Sequence, residues 1–193
     1  MAAQEYGADL LGFVFADSKR QITLKAASEI ACEVTGIKKV GVFVNAPLSE
    51  VQLAARECCL DFVQLHGDES PEYCRQLGVP VIKVFRIRPD FSSTEFAGYQ
   101  TAWTLFDSFS AGQQGGTGIA FDWQQARQLL HRAPRPLLAA GGLTADNVAE
   151  AIAILRPDGV DVSGGVETDG VKDNVKIKRF IAAVRGAELS HAK

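Results

Sequence analysis

The pace at which apolar runs recur along this chain constrains its fold more than any other feature. Seven short runs rich in Val, Leu, Ile and Phe begin at Ala8, Lys38, Phe62, Val81, Thr104, Arg135 and Gly159, so successive starts lie 19 to 31 residues apart. Their cores are nearly continuous rather than alternating, the pattern of strands buried on both faces of a parallel sheet. The intervals are long enough for helices, and helical spacing fits residues 24–36, 49–59, 70–78, 122–132, 144–156 and 174–186. Repeated βα units advance at this pace, whereas hairpins recur faster. Residues 88–100 follow no regular period and are expected to hold a short or irregular helix. Ser70 followed by Pro71 reads as an N-cap and first-turn proline, and Gly36, Gly78 and Gly186 stand where C-terminal glycine caps belong.

Such α/β units build either an open doubly wound sheet or a closed barrel. No strand runs into a GxGxxG turn, while two successive late strands both end in glycine pairs, which favours a (β/α)8 TIM barrel. That barrel needs eight strands, and seven are visible. The opening AAQEYGAD reads as the tail of a helix already under way, and 193 residues fall just below the fold's usual lower limit of about 200. The expectation is a single barrel domain over residues 1–193, N-terminally truncated, with the first βα start missing.

Charge narrows the partners. A formal net charge of -3 and a pI near 5.6 provide no basic field for nucleic acid or anionic lipid. Neither partner is expected, and the start carries no signal peptide or membrane-length apolar run. Cys32, Cys58, Cys59 and Cys74 lack CxxC spacing and read as reduced thiols on the outer helices, so a cytoplasmic protein is expected. Nothing resembles a metal-ligand set, and no metal is expected.

In a parallel barrel the chemistry stands at the C-terminal ends of the strands. There the sequence places residues 17–20, Asn45, His66, Arg86 and Arg88, Asp107, Gly141 with Gly142, and residues 161–165. The glycine-rich ends at 139–143 and 161–167 are two ordinary turns or a phosphate cradle, since glycine lets backbone N–H groups approach phosphate oxygens. Asp107 ends an apolar strand, where a carboxylate serves either as a structural cap or as a proton donor to a departing oxygen. The GGTG run at 115–118 reads equally as a lid or a plain connection. Arg20 either grips a substrate carboxylate bidentately or is a solvated surface arginine. His66 either hydrogen-bonds substrate or is structural.

Taken together, residues 7–23 (GADLLGFVFADSKRQIT), 40–45 (VGVFVN), 63–69 (VQLHGDE), 105–123 (LFDSFSAGQQGGTGIAFDW), 137–148 (LLAAGGLTADNV) and 159–173 (GVDVSGGVETDGVKD) closely resemble the phosphoribosylanthranilate isomerases of tryptophan biosynthesis. The likeness runs over essentially the whole chain. It implies an isomerase that performs an Amadori rearrangement of N-(5-phosphoribosyl)anthranilate without a cofactor, acting on a small phosphorylated sugar amine as a monomer or homodimer. In that likeness Asp107 matches the general acid, Arg20 the arginine that holds the anthranilate carboxylate, and His66 and Asp161 polar residues lining the pocket. The backbone at Gly141, Gly142, Ser163, Gly164 and Gly165 matches the phosphate cradle.

Two departures stand out. The family usually opens with a KICGI-type strand whose cysteine is the general base, and no such motif occurs here, so poor activity of these residues alone is expected. The usual SSGVE reads SGGVE, with Gly164 in place of a serine, which removes a hydroxyl and keeps the backbone donors. A truncated, non-catalytic phosphate-binding or interaction protein and a different phosphosugar barrel enzyme are the alternatives.

Overall fold

The computed structural model describes residues 2–88, 90–107, 123–130 and 132–191. They form two compact units, the first made of Met1–Val84 with Gly98–Trp103 and the second of Phe85–Ala97 with Thr104–Lys193.

The first unit opens on the short helix α1 (Ala2–Glu5) and continues through β1 (Leu10–Val14), α2 (Leu24–Glu33), β2 (Lys38–Phe43), α3 (Leu48–Glu57), β3 (Phe62–Leu65), α4 (Pro71–Gln76) and β4 (Val81–Arg86). β1 pairs with β2, β2 with β3 and β3 with β4, every pair parallel. Each βα connection returns the chain to the same edge, so the strands share one direction and their C-terminal ends line up. Helices and strands meet over a core that includes Phe13, Ala27, Phe43, Val51, Val63 and Leu65. Phe15 stacks on Phe43 with ring centroids 4.9 Å apart, extending that core toward the end of β1.

Two of the expected caps behave as written. Ser70 Oγ accepts a hydrogen bond from Tyr73 N at 3.2 Å with Pro71 in the first turn, and Gly78 follows α4 at φ 71°. Gly36 also takes a left-handed φ of 74°, but α2 has already ended at Glu33.

In the second unit β5 (Trp103–Asp107), which enters it at Thr104, β6 (Leu137–Ala140) and β7 (Gly159–Val160) are again parallel neighbours in that order. α5 (Trp123–Leu130) and α6 (Val148–Leu155) supply the connections. The irregular stretch after β4 holds a 3-10 turn at Ser93–Phe96, closed by a capping box between Ser92 and Glu95. Phe85, Phe91, Phe96 and Phe106 cluster around it, with centroid separations of 4.9 to 6.3 Å. The short, irregular helix expected in residues 88–100 is thus this 3-10 turn, and edge-to-face and tilted ring contacts pack it.

A feature absent from the sequence reading follows β7. Glu167–Thr168 (β8) and Val171–Lys172 (β9) form an antiparallel hairpin around Asp169 and Gly170, at φ 52° and 80°. An Asp-Gly pair with both residues left-handed is a two-residue turn whose twist suits a hairpin. The final helix α7 (Asn174–His191) begins directly after it.

Asp173 caps that helix. Its Oδ1 accepts from Val175 N at 2.9 Å and Lys176 N at 3.1 Å, and its Oδ2 accepts from the Thr168 hydroxyl at 2.8 Å. The Thr168 hydroxyl foremost, with the backbone donors, holds the Asp173 carboxyl below its ordinary value. A carboxyl whose pKa is lower in the folded state stabilises the fold above the unfolded value, and the contribution is lost as pH falls through the lowered one. Asp173→Asn is therefore expected to flatten the acid limb of the stability–pH curve, read by urea unfolding between neutral and strongly acidic pH.

Gly186 is no cap. α7 runs through it to His191, because one glycine inside a helix costs only about 1 kcal/mol, less than neighbouring turns return. Its α-carbon faces open space.

Candidate functional site

The first unit presents Arg20 and His66. Arg20 sits in the loop after β1, where its N–H donates to Ser18 Oγ at 3.2 Å. That loop folds back on the strand, with Ile22 N donating to Val14 O and the Gln21 side chain to Phe15 O. His66 follows the last residue of β3, and its N–H donates to Phe43 O at the end of β2 at 2.8 Å. Both residues therefore stand at the C-terminal edge of the strands, half-buried.

Beneath His66 lies a buried ion pair that sequence reasoning did not single out. Lys83 Nζ meets Glu69 Oε2 at 3.0 Å, with the two side chains only 3% and 2% exposed. Lys83 also donates to Gly67 O at 2.7 Å and Leu65 O at 3.2 Å. Glu69 Oε1 accepts from Asn45 N at 2.8 Å, and both of its oxygens accept from Gly67 N. Asn45, held at a left-handed φ of 50°, accepts through Oδ1 from Asp68 N at 2.7 Å. The network thus splices the loop after β2 to the loop after β3, with His66 between them. Its signal in the sequence was a lysine within the otherwise apolar VIKVF.

Asn45 is accordingly a structural splice. Arg88, another rim candidate, is engaged by Asp90 and Glu95 at 3.0 Å each. The cysteines carry no site: Cys58 and Cys74 are buried thiols whose pKa rises chiefly through desolvation, and Cys32 and Cys59 are free and exposed. Tyr73 is pushed up to about 12, mainly by burial, and donates its hydroxyl to Ala46 O.

The second unit gathers the remaining candidates. Asp107, the last residue of β5, is the register partner of Ala140, the last residue of β6. Asp161 follows β7 and donates from N to Ala139 O at 2.9 Å. Asp107 and both glycine-rich turns thus leave three adjacent parallel strands at one edge. The residues that follow Asp107, including the GGTG run and most of the FDW stretch, lie outside the described residues.

The two turns are built for close backbone approach. Gly141 and Gly142 take φ values of 90° and 62°, a region that costs any side chain. Asn147 spans their turn, donating from Nδ2 to Gly142 O at 3.1 Å and accepting at Oδ1 from Thr144 N at 2.8 Å. At Gly165 the limit is space, since an added Cβ would run into the Leu143 carbonyl. The loops holding Gly142 and Gly164 are therefore in direct contact. Gly165→Ala is expected to push them apart and to lower stability by about 1–3 kcal/mol, as overpacking typically does; urea unfolding measures it.

No group of His, Cys, Asp and Glu among the described residues is arranged to hold a metal ion. No helix among them is long and apolar enough to cross a membrane.

Comparison with known proteins identifies the family and the fold. Residues 1–183 match the family model described as N-(5'phosphoribosyl)anthranilate (PRA) isomerase. A relative from Bacillus cereus named N-(5'-phosphoribosyl)anthranilate isomerase is 46% identical over 181 residues, covering 93% of this chain and 90% of its own length. The crystal structure of phosphoribosyl anthranilate isomerase from Thermotoga maritima matches with a TM-score of 0.84 at 36% identity, over 96% of this chain and 92% of that one. A further isomerase structure, in complex with reduced 1-(o-carboxyphenylamino)-1-deoxyribulose 5-phosphate, matches with a TM-score of 0.80 at 34% identity, over 96% and 91%. Parallel α/β units with the TIM-barrel-like fold of these neighbours, and likeness sustained over nearly the full length, lead to one conclusion: the chain belongs to the N-(5'-phosphoribosyl)anthranilate isomerase family.

Proposed function

We propose that this chain catalyses the Amadori rearrangement of N-(5-phosphoribosyl)anthranilate to 1-(2-carboxyphenylamino)-1-deoxyribulose 5-phosphate in tryptophan biosynthesis, as a cytoplasmic enzyme. The observation that carries this reading is the carboxylate of a strand-end residue, Asp107, one strand away from the paired glycines at 141 and 142. An acid beside an anion cradle suits a sugar phosphate whose ring must open.

In the proposed reaction Asp107 protonates the furanose ring oxygen while the anilino nitrogen lone pair forms the C1=N iminium and the C1–O bond breaks. Removal of the C2 proton then yields the enolamine, which tautomerises to the ketone. C2 is oxidised and C1 reduced within one molecule, so the chemistry requires no external electron carrier. The C2 step needs a base, a role assigned to none of the residues above. Backbone N–H groups at Gly141, Gly142, Ser163, Gly164 and Gly165 take the phosphate, where amide donors are well suited to an anion. Arg20 is assigned to the anthranilate carboxylate, since a guanidinium fork matches it bidentately. His66 and Asp161 are assigned to substrate hydrogen bonds.

The test mixes the chain with the reduced product found in the related complex and follows binding by calorimetry, alongside conversion of the true substrate by chromatography. Saturable binding that inorganic phosphate competes away is expected. No binding of the reduced product would overturn the reading.

A further inference from the structure

The hairpin after β7 carries a lysine back onto the cradle. The Asp169-Gly170 turn sets the register so that Glu167 lies opposite Lys172. Lys172 Nζ meets Glu167 Oε1 at 3.0 Å, and the Glu167 side chain is only 6% exposed. From there the ammonium donates to Ser163 O at 2.8 Å and reaches Ser163 Oγ at 3.4 Å. Glu167 is itself fixed from the other side, since its backbone carbonyl accepts from Lys176 Nζ at 2.6 Å.

What this does to the loop follows from the peptide bond. The group joining Ser163 to Gly164 is planar, and in a trans peptide the C=O and N–H point in opposite directions. A donor that pins the Ser163 carbonyl therefore aims the Gly164 N–H the other way. Glycine at 164 and 165 leaves this stretch with little conformational preference of its own, and Gly165 is already pressed against the Leu143 carbonyl. An outside group has to decide which face the Gly164 amide presents. We propose that Lys172 is a positioning residue for phosphate recognition: clamped by Glu167, it holds the Ser163 carbonyl and so orients the Gly164 N–H, and the serine hydroxyl beside it, for a phosphate monoester.

This rests on the reading of residues 141–142 and 163–165 as a phosphate cradle. It also accounts for the departure at Gly164, because orientation of the peptide group needs no side chain there. Lys172 is half-exposed, but its partner Glu167 is only 6% exposed, so replacing the lysine strands a carboxylate and costs some stability as well.

The experiment measures dissociation constants for inorganic phosphate and for the reduced product in the wild-type chain, Lys172→Met and Lys172→Gln, with the urea midpoint of each unliganded protein. Loss of a charge-assisted hydrogen bond predicts that Lys172→Met weakens both phosphate-bearing ligands by about ten- to a hundredfold, with the glutamine variant between. The urea midpoint is expected to fall in Lys172→Met, which strands the Glu167 carboxylate, so affinities are measured on the folded proteins without urea. Wild-type affinity in Lys172→Met overturns the inference, as does an equal loss of affinity in Asp173→Asn, which lowers stability at the α7 cap without touching the Ser163 carbonyl. If Lys172→Met does not fold, the same criteria apply to Lys172→Gln. Failure of the wild-type chain itself to bind phosphate defeats the cradle reading, and this inference with it, whereas wild-type binding with an unaffected variant defeats the inference alone.

Discussion

Asp107→Asn is expected to lower kcat by about 10²- to 10⁴-fold, the usual worth of a positioned general acid. Affinity for the reduced product is expected to change by no more than about threefold, because asparagine keeps the shape and loses only the transferable proton. The geometry behind this is the strand register. Asp107 ends β5 opposite Ala140, and its carbonyl accepts from Ile87 N at 3.0 Å, so the backbone that presents the carboxyl is anchored on both sides. An amide at the same place can still hydrogen-bond a ring oxygen and cannot protonate it. Single-turnover kinetics and calorimetry on the same preparation separate the two effects. Unchanged turnover would remove Asp107 from the acid role, and equal losses of turnover and affinity would make it a binding residue instead.

The second large effect lies in the first unit and concerns stability before chemistry. Lys83→Met leaves Glu69, 2% exposed at its side chain, without its ammonium partner. Removing one member of a buried ion pair typically costs about 3–5 kcal/mol, because the remaining charge is stranded away from water. The double variant Lys83→Met with Glu69→Leu removes both charges, and is expected to regain part of that loss, since well-packed apolar replacements of buried pairs are often neutral or better. Recovery is expected to be incomplete. Glu69 also accepts from Asn45 N and Gly67 N, and leucine leaves those donors unmatched. Urea unfolding of the single and double variants forms the cycle; a single variant as stable as wild type would show that the pair contributes nothing. Because His66 rides on the spliced loops, its ring signals in NMR are expected to broaden in the single variant.

The sequence and the structure agree most closely where local chemistry repeats. All seven apolar runs became strands, at Leu10–Val14, Lys38–Phe43, Phe62–Leu65, Val81–Arg86, Trp103–Asp107, Leu137–Ala140 and Gly159–Val160. Strands buried on both faces betray themselves as unbroken apolar stretches, and the helices between them by their own period. Ser70 with Pro71 was legible for the same reason, since a cap depends on three or four neighbouring residues. Gly186 misled because a glycine signals a helix end only when the chain has reason to leave the helix there. The β8–β9 hairpin was written in Asp169-Gly170, a strong hairpin signal, yet its flanking strands are only two residues long and raise no periodic pattern.

The succession of strands and helices, and the placement of Arg20, His66, Asp107, Asp161 and the glycine turns each at the end of its own strand, were properties of the sequence alone, because in a βα repeat each strand end leads directly into its connection. Which side chains hold those ends in place was decided only by the fold. Glu69 with Lys83 and Lys172 with Ser163 act across separations in the chain that carry no period, through contacts that exist once the backbone has brought two loops together. Hydrogen bonds of this kind are set by direction and distance in space, and sequence spacing records neither.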